Sequence, residues 1–265
     1  MFFRLSSWQL GLILFALVAS GTLVGVAGGR YLRERSEGLR EPLSVLQAAL
    51  LALVGLILAF ALTLAVGRYQ DRRAAIVDEA NAIGTTYLRA ETLPEPARTA
   101  SLGLLRQYAD TSIQLSSTIP GSSDERKTLA VSEGLQQQLW RLAAQALDAA
   151  PVASAPRLYV DSLNEAFDAQ TVVVAARNNR VPSAVLALEV VAAASAMGLL
   201  AAYMSMFSRG VGTVLLASLL VTGLLLVTFD LDRPTRGLIR VPNTPLTDVR
   251  ASMAPPPAAG APSTP

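Results

Sequence analysis

Cysteine and histidine are both missing from this sequence. Their absence excludes disulfides, thiolate nucleophiles, zinc sites of the Cys/His kind and histidine general bases. It leaves the redox compartment open. Charge is scarce as well: 16% of residues are charged, where a soluble domain carries about 25%. A net charge of +2 gives no footprint for nucleic acid. Lysine is nearly absent, with Lys127 alone against 21 arginines. No glycine-rich phosphate loop, metal motif or nucleophile–base constellation occurs. With no paired acids in the apolar stretches either, the chain reads as a non-enzyme with no metal site and no cofactor.

What the sequence does have is hydrophobic residues, 52% of 265, gathered in four long blocks. About 20 apolar residues in a helix cross the hydrocarbon layer of a bilayer. The blocks run from about 8 to 29, 43 to 66, 185 to 207 and 211 to 229. Each satisfies its backbone polar groups inside its own helix, the condition for lying in lipid. The first block is longer than the apolar region of a signal peptide and no A-x-A site follows, so it reads as a span. The expected fold is therefore all-α, a four-span transmembrane helical bundle with a helical cytosolic insertion between spans 2 and 3. Its parts are a hairpin (1–66), the insertion (67–182), a second hairpin with a juxtamembrane segment (183–250) and a Pro/Ala/Ser-rich tail (251–265) expected to be disordered.

Arginines near the span ends set the orientation. The side holding the N-terminus, the insertion and the C-terminus has Arg4, Arg68, Arg72, Arg73, Arg177, Arg180, Arg233, Arg236 and Arg240; the other has Arg30, Arg33, Arg35, Arg40 and Arg209. Nine against five makes the first side cytoplasmic and the chain a multi-pass inner-membrane protein.

Small residues recur every fourth position in the first span (Gly21, Gly25, Gly29) and the third (Ala194, Gly198, Ala202), with Gly55 and Ala59 in the second. Such stripes let helix backbones approach closely. They serve either packing within one chain or a seam between copies of it. Glu189 is the ionisable residue lying well inside a span. An intramembrane acid is a functional candidate by default, against a structural, protonated or Arg-paired alternative.

The insertion lacks any span-length apolar run and reads as four amphipathic helices. The first continues the second span to about Leu93, with Ile76, Ala80, Ile83 and Tyr87 inward, and Pro94 and Pro96 end it. The second runs from about Ala97 to Ser116, with Leu102, Leu105 and Ala109 inward. After a turn at Pro120-Gly121-Ser122-Ser123, the third starts near Asp124 and carries Leu129, Leu135, Leu139, Leu142 and Ala146. The fourth follows Pro156 with Tyr159, Leu163 and Phe167 inward.

Two stretches carry a resemblance. One is Arg68-Tyr69-Gln70-Asp71-Arg72-Arg73 with Val77-Asp78-Glu79-Ala80-Asn81-Ala82-Ile83-Gly84-Thr85-Thr86-Tyr87-Leu88-Arg89. The other is Asp230-Leu231-Asp232-Arg233-Pro234 with Gly237-Leu238-Ile239 and Pro245-Leu246. With the two-plus-two span layout, these resemble the bacterial bestrophin-like membrane family, a domain of unknown function distantly related to the bestrophin anion channels. The resemblance covers about residues 8–250. Bestrophins are pentamers whose central pore is lined largely by the second span. Carried over, this implies an apolar neck of Leu53, Ile57, Phe60 and Leu64, since hydrophobic constrictions gate by dewetting; packing or lipid contact is the plainer use of the same residues. It also implies a homo-oligomer in the lipid bilayer, passing chloride or other small anions. The chain differs from bestrophins in being poor in aromatics and in lacking an acidic run suited to a calcium clasp.

Charges cluster where the second and fourth spans end: Arg68, Asp71, Arg72 and Arg73 at one, Asp230, Asp232 and Arg233 at the other. Acids at a helix C-terminus face the unfavourable end of its dipole, so Asp230 and Asp232 are expected to have arginine partners, with Arg72 or Arg73 available, or else to be ordinary interfacial anchors. In the helix of Glu79 and Asn81, Gly84 costs about 1 kcal/mol against alanine. It buys close approach of another helix, and Thr85 and Thr86 are placed to bond backbone carbonyls or line a ligand site. The leading reading is an oligomeric membrane protein that permits or regulates passage of anions. Its rival is a non-conducting scaffold or sensor whose cytosolic helices bind a partner.

Overall fold

The computed structural model describes residues 6–32, 40–206, 210–233, 235 and 237–253. The expected end of the third span at Phe207, the motif residue Pro234, the loop arginines Arg33 and Arg35, and the tail from 254 onward lie outside the described residues. Among the described residues eight helices follow one another: α1 (Ser7–Leu32), α2 (Arg40–Ala90), α3 (Ala97–Ser117), α4 (Ser123–Ala149), α5 (Ser154–Asn178), α6 (Ser183–Ser205), α7 (Val211–Leu231) and α8 (Thr244–Ser252). Among the described residues there is no strand. Among the same residues, four helical stretches, within 7–31, 41–90, 154–205 and 212–231, are long and apolar enough to cross a membrane.

The chain divides into two compact units, Met1–Tyr69 with Arg180–Arg240, and Gln70–Asn179 with Val241–Pro265. In the first unit α1, α6 and α7 pack together. Their core is Leu10, Leu14 and Val18 with Leu186, Ala193, Met197, Leu225 and Phe229, joined by Val54 and Leu58 of α2. The two stripes of small residues meet each other. A Cβ added at Gly21 would lie 2.5 Å from the Ala194 carbonyl oxygen, one at Gly25 would strike Gly198, and one at Gly29 would strike Ala202. Of the two uses open from the sequence, these stripes serve packing inside one chain. Gly55, by contrast, faces open space. Thr22 and Ser218, both buried, exchange a hydrogen bond at 3.2 Å between α1 and α7. Gly210 opens α7 at φ 129°, a backbone shape that only glycine adopts freely.

The second unit is built from the inward faces of α2 (Ile76, Ile83, Tyr87), α3 (Leu105, Tyr108, Ala109), α4 (Leu135, Leu139, Ala143) and α5 (Tyr159, Leu163, Ala166, Val173). α4 begins with a cap: the Glu125 backbone N–H donates to Ser122 Oγ at 3.1 Å, and Gly121 N–H donates to Glu125 Oε2 at 2.6 Å. α2 ends at Ala90, three residues before the expected stop, and Leu93 is buried in the turn that follows. α5 begins at Ser154, ahead of Pro156, because proline is tolerated in the first helical turn.

The stretch that follows the fourth candidate span, expected as a juxtamembrane segment, lies in the second unit from Val241 onward, where Leu246 and Met253 are fully buried. The tail was expected to start at 251, yet α8 continues through Ser252. Its end is held by Arg106, whose Nε donates to the Met253 carbonyl at 2.9 Å and whose Nη2 donates to Tyr87 Oη at 2.7 Å; Tyr87 Oη in turn donates to the same carbonyl at 3.1 Å.

Candidate functional site

On α2 the four neck candidates occupy one stripe. Leu53, Phe60 and Leu64 are more than half exposed and Ile57 is half-buried, while Val54, Leu58 and Ala65 behind them are buried. The chain therefore leaves this apolar face uncovered along the second candidate span.

Glu189 sits on α6 and is buried, with Oε2 lacking a hydrogen-bond partner. Arg68 and Asp232 are the charges that act on it. Arg68 is half-buried with Nη1 unbonded. The Asp230-Leu231-Asp232-Arg233 run, all buried, holds the end of the first unit. Asp230 accepts from Ser7 Oγ at 2.8 Å and from the Ile239 backbone N–H at 2.9 Å. Asp232 accepts from the Val181 backbone N–H at 3.3 Å. These donors offset the unfavourable dipole end at which both acids sit. Gly237 is required for the Asp230 loop, since a Cβ there would lie 2.7 Å from Asp230 Oδ2.

In the second unit Arg72 is buried, while Asp71 and Arg73 are exposed. Arg72 donates from Nε to the Ala176 carbonyl at 3.2 Å and from Nη2 to the Asn179 carbonyl at 2.9 Å. A cation thus satisfies the last carbonyls of α5, where the helix dipole favours positive charge. Arg177 does the same for α3: it donates to the Leu115 carbonyl and to the Thr118 carbonyl at 2.6 Å, and pairs with Glu125 at 3.6 Å.

A buried polar relay joins α2, α3, α4 and α5 in the same unit. Glu79 on α2 is 1% exposed. Ser112 Oγ of α3 donates to Glu79 Oε1 at 2.8 Å, and Gln170 Nε2 of α5 donates to Ser112 Oγ at 3.2 Å. Two groups of α4 converge on Gln170 Oε1: Ser132 Oγ at 2.7 Å and Gln136 Nε2 at 3.0 Å. Burial pushes the Glu79 carboxyl above its ordinary range, opposed by Ser112, Gln170 and the Arg177 charge. Burial also raises the phenol of Tyr108, and that of Tyr159 is pushed up to about 12.

The other residues of the motif helix do different work. Gly84 lets α8 lie close, since a Cβ would come within 2.9 Å of the Val249 side chain. Asn81 and Thr85 are exposed and line a cavity of about 440 Å³ with Asp248. Thr86 Oγ1 bonds the carbonyls of Ala82 at 2.7 Å and Ser162 at 2.8 Å. Sequence reading named Glu79 but missed Ser112, Ser132, Gln136 and Gln170. The available signal was their spacing: Ser112, Ser132 and Gln170 fall on the inward faces of their helices, among apolar neighbours, with Gln136 half-buried beside them.

The profile of the bestrophin-like domain matches residues 11–246. The chain belongs to the bestrophin-like family. Its fold is also that of a solved bacterial bestrophin homologue from Klebsiella pneumoniae. A tryptophan-to-alanine mutant of that homologue is 15% identical, with a TM-score of 0.69, over 94% of this chain and 97% of the other. A leucine-to-threonine mutant is 16% identical, with a TM-score of 0.67, over 92% and 97%. A form phased with zinc is 14% identical, with a TM-score of 0.66, over 91% and 96%. At this identity the likeness is one of fold. No curated protein matches the chain in sequence.

Proposed function

We propose that this bestrophin-like membrane protein is a homo-oligomer that permits or regulates the passage of small anions such as chloride. The observation that carries the reading is the α2 stripe of Leu53, Ile57, Phe60 and Leu64, apolar and left largely uncovered by its own chain. Around a symmetry axis such a stripe makes a hydrophobic constriction that opens and closes by wetting. Bestrophins, to which the sequence is similar, are anion channels with a pore lined by the same span. The arginine balance supports an inner-membrane setting, with both termini and the insertion in the cytoplasm.

Purified protein in liposomes tests the reading. Anion flux that changes when Phe60 is replaced by serine supports it. Intact oligomers with no anion flux at any pH or voltage would overturn it. A monomer in native-like membrane would also count against a central pore.

A second reading, a non-conducting scaffold or sensor, rests on one surface feature. A cavity of about 570 Å³ between α4 and α5 is walled by Trp140, Phe167 and Arg141. Trp140 is 45% exposed there, and an exposed aromatic beside an arginine is the composition favoured at protein interfaces.

A further inference from the structure

Buried carboxyl groups are costly unless they are neutral or hydrogen-bonded. Glu79 is shielded from solvent, and its carboxyl is met by a chain of hydrogen-bond donors. Those donors have a direction. From α4, Ser132 and Gln136 donate into Gln170; from α5, Gln170 donates into Ser112; from α3, Ser112 donates into Glu79. Each of these four bonds runs toward the carboxyl, the arrangement that suits an acceptor. A protonated Glu79 becomes a donor itself and has to find an acceptor among groups now oriented to give.

We propose that Glu79 is a proton-sensing switch built into the second unit, in which gain or loss of one proton reorients the hydrogen bonds that tie α2 to α3, α4 and α5.

The charged and titratable surroundings are few. α5 contributes Arg177, whose charge favours the carboxylate. α3 contributes Tyr108, a neutral phenol facing both Glu79 and Gln136. α4 contributes Glu125, which acts through Arg177 as its ion-pair partner. Arg177 also closes the end of α3 through the carbonyls of Leu115 and Thr118. A change of charge at Glu79 therefore alters the balance on the arginine that fixes α3, as well as the bond from Ser112. Glu79 and the neck candidates lie on the same continuous helix, α2. The switch itself stands whether or not the protein conducts, and is read without any flux measurement.

Infrared difference spectroscopy of the full chain tests it, in a Glu189→Gln background that removes a second buried glutamate, one whose Oε2 has no hydrogen-bond partner. The expected result is a protonated-carboxyl band that titrates above the ordinary glutamate value of about 4.3 and is lost in Glu79→Gln. Ser112→Ala, which removes a donor to the carboxylate, should move that midpoint upward. Hydrogen exchange of the α3 and α5 backbone should change at the same midpoint in the parent and stay constant with pH in Glu79→Gln. A band at the ordinary value, a midpoint indifferent to Ser112→Ala, or protection unchanged across the titration would each overturn the proposal. The serine variant and the exchange data decide it even if Glu79→Gln does not fold.

Discussion

The hydroxyl of Ser7 donates to Asp230 Oδ1 at 2.8 Å, so the first residue of α1 is fastened to the last turn of α7 across 223 positions of sequence. Asp230 also holds the Ile239 backbone N–H. Replacing a buried acceptor with a group that cannot bond leaves its donors unsatisfied, at a cost of about 1–3 kcal/mol. Asp230→Ala is expected to cost that much stability and Ser7→Ala about 1 kcal/mol, both read as a lower melting temperature in detergent. Because both remove the same bond, the double variant should cost less than the sum. Strict additivity would show that the bond contributes nothing in solution.

Gly25 lies against Gly198 with no room for a Cβ. Gly25→Leu is expected to unfold or strongly destabilise the first unit, since overpacking costs about 1–3 kcal/mol even where neighbours can adjust, and here the neighbour is backbone. A variant that melts normally and merely dissociates into monomers would place this stripe between copies instead. The readout is melting temperature alongside particle mass.

The pH dependence of stability has a definite sign at Glu79. Burial raises the folded carboxyl above its unfolded value, so its stabilising contribution is complete below the unfolded value of about 4.3 and is lost as pH rises through the folded one. Glu79→Gln, which stays neutral, is expected to lose less stability than the parent between mildly acidic and neutral pH. Parallel melting curves against pH for the two proteins would refute this.

Met253 anchors the end of α8 through its carbonyl and its buried side chain. A chain ending at Met253 should melt like the full protein, whereas one ending at Asn243 should not, because it loses Leu246, Met253 and the Arg250–Asp110 ion pair at 2.8 Å. Arg106→Ala is expected to cost about 1–3 kcal/mol by leaving that carbonyl and Tyr87 with fewer partners. Equal melting of the two truncated chains would mean that α8 adds nothing to the second unit.

Several helices were legible because their apolar residues recur at helical spacing. Ile76, Ala80, Ile83 and Tyr87 were placed inward from spacing alone and are all buried. Leu129 and Leu142 were placed inward too and are only half-buried, because the face of α4 is centred on Ser132, Leu135 and Leu139. A serine counts as polar in a pattern and as interior in a fold. Ser112 and Gln170 were illegible for the same reason: their meaning depends on a carboxyl contributed by a different helix. α8 escaped notice because Leu246 is the buried residue within its nine, too little to make a periodicity. The arginine caps were also hidden. Arg72 and Arg177 look like membrane-surface charges in sequence, yet their bonds go to the carbonyl ends of α5 and α3.

The glycine and alanine stripes of α1 and α6 are spent on each other. In the oligomer proposed above, subunit recognition could not draw on that close backbone fit. It would fall to broad leucine-rich surfaces such as Leu215, Leu216, Leu219 and Leu220 of α7 and the outer stripe of α2. Bulky, flexible surfaces of this kind accommodate lipid tails nearly as well as protein, so assembly of such an oligomer would respond to the thickness and composition of the surrounding membrane more than to any single side chain.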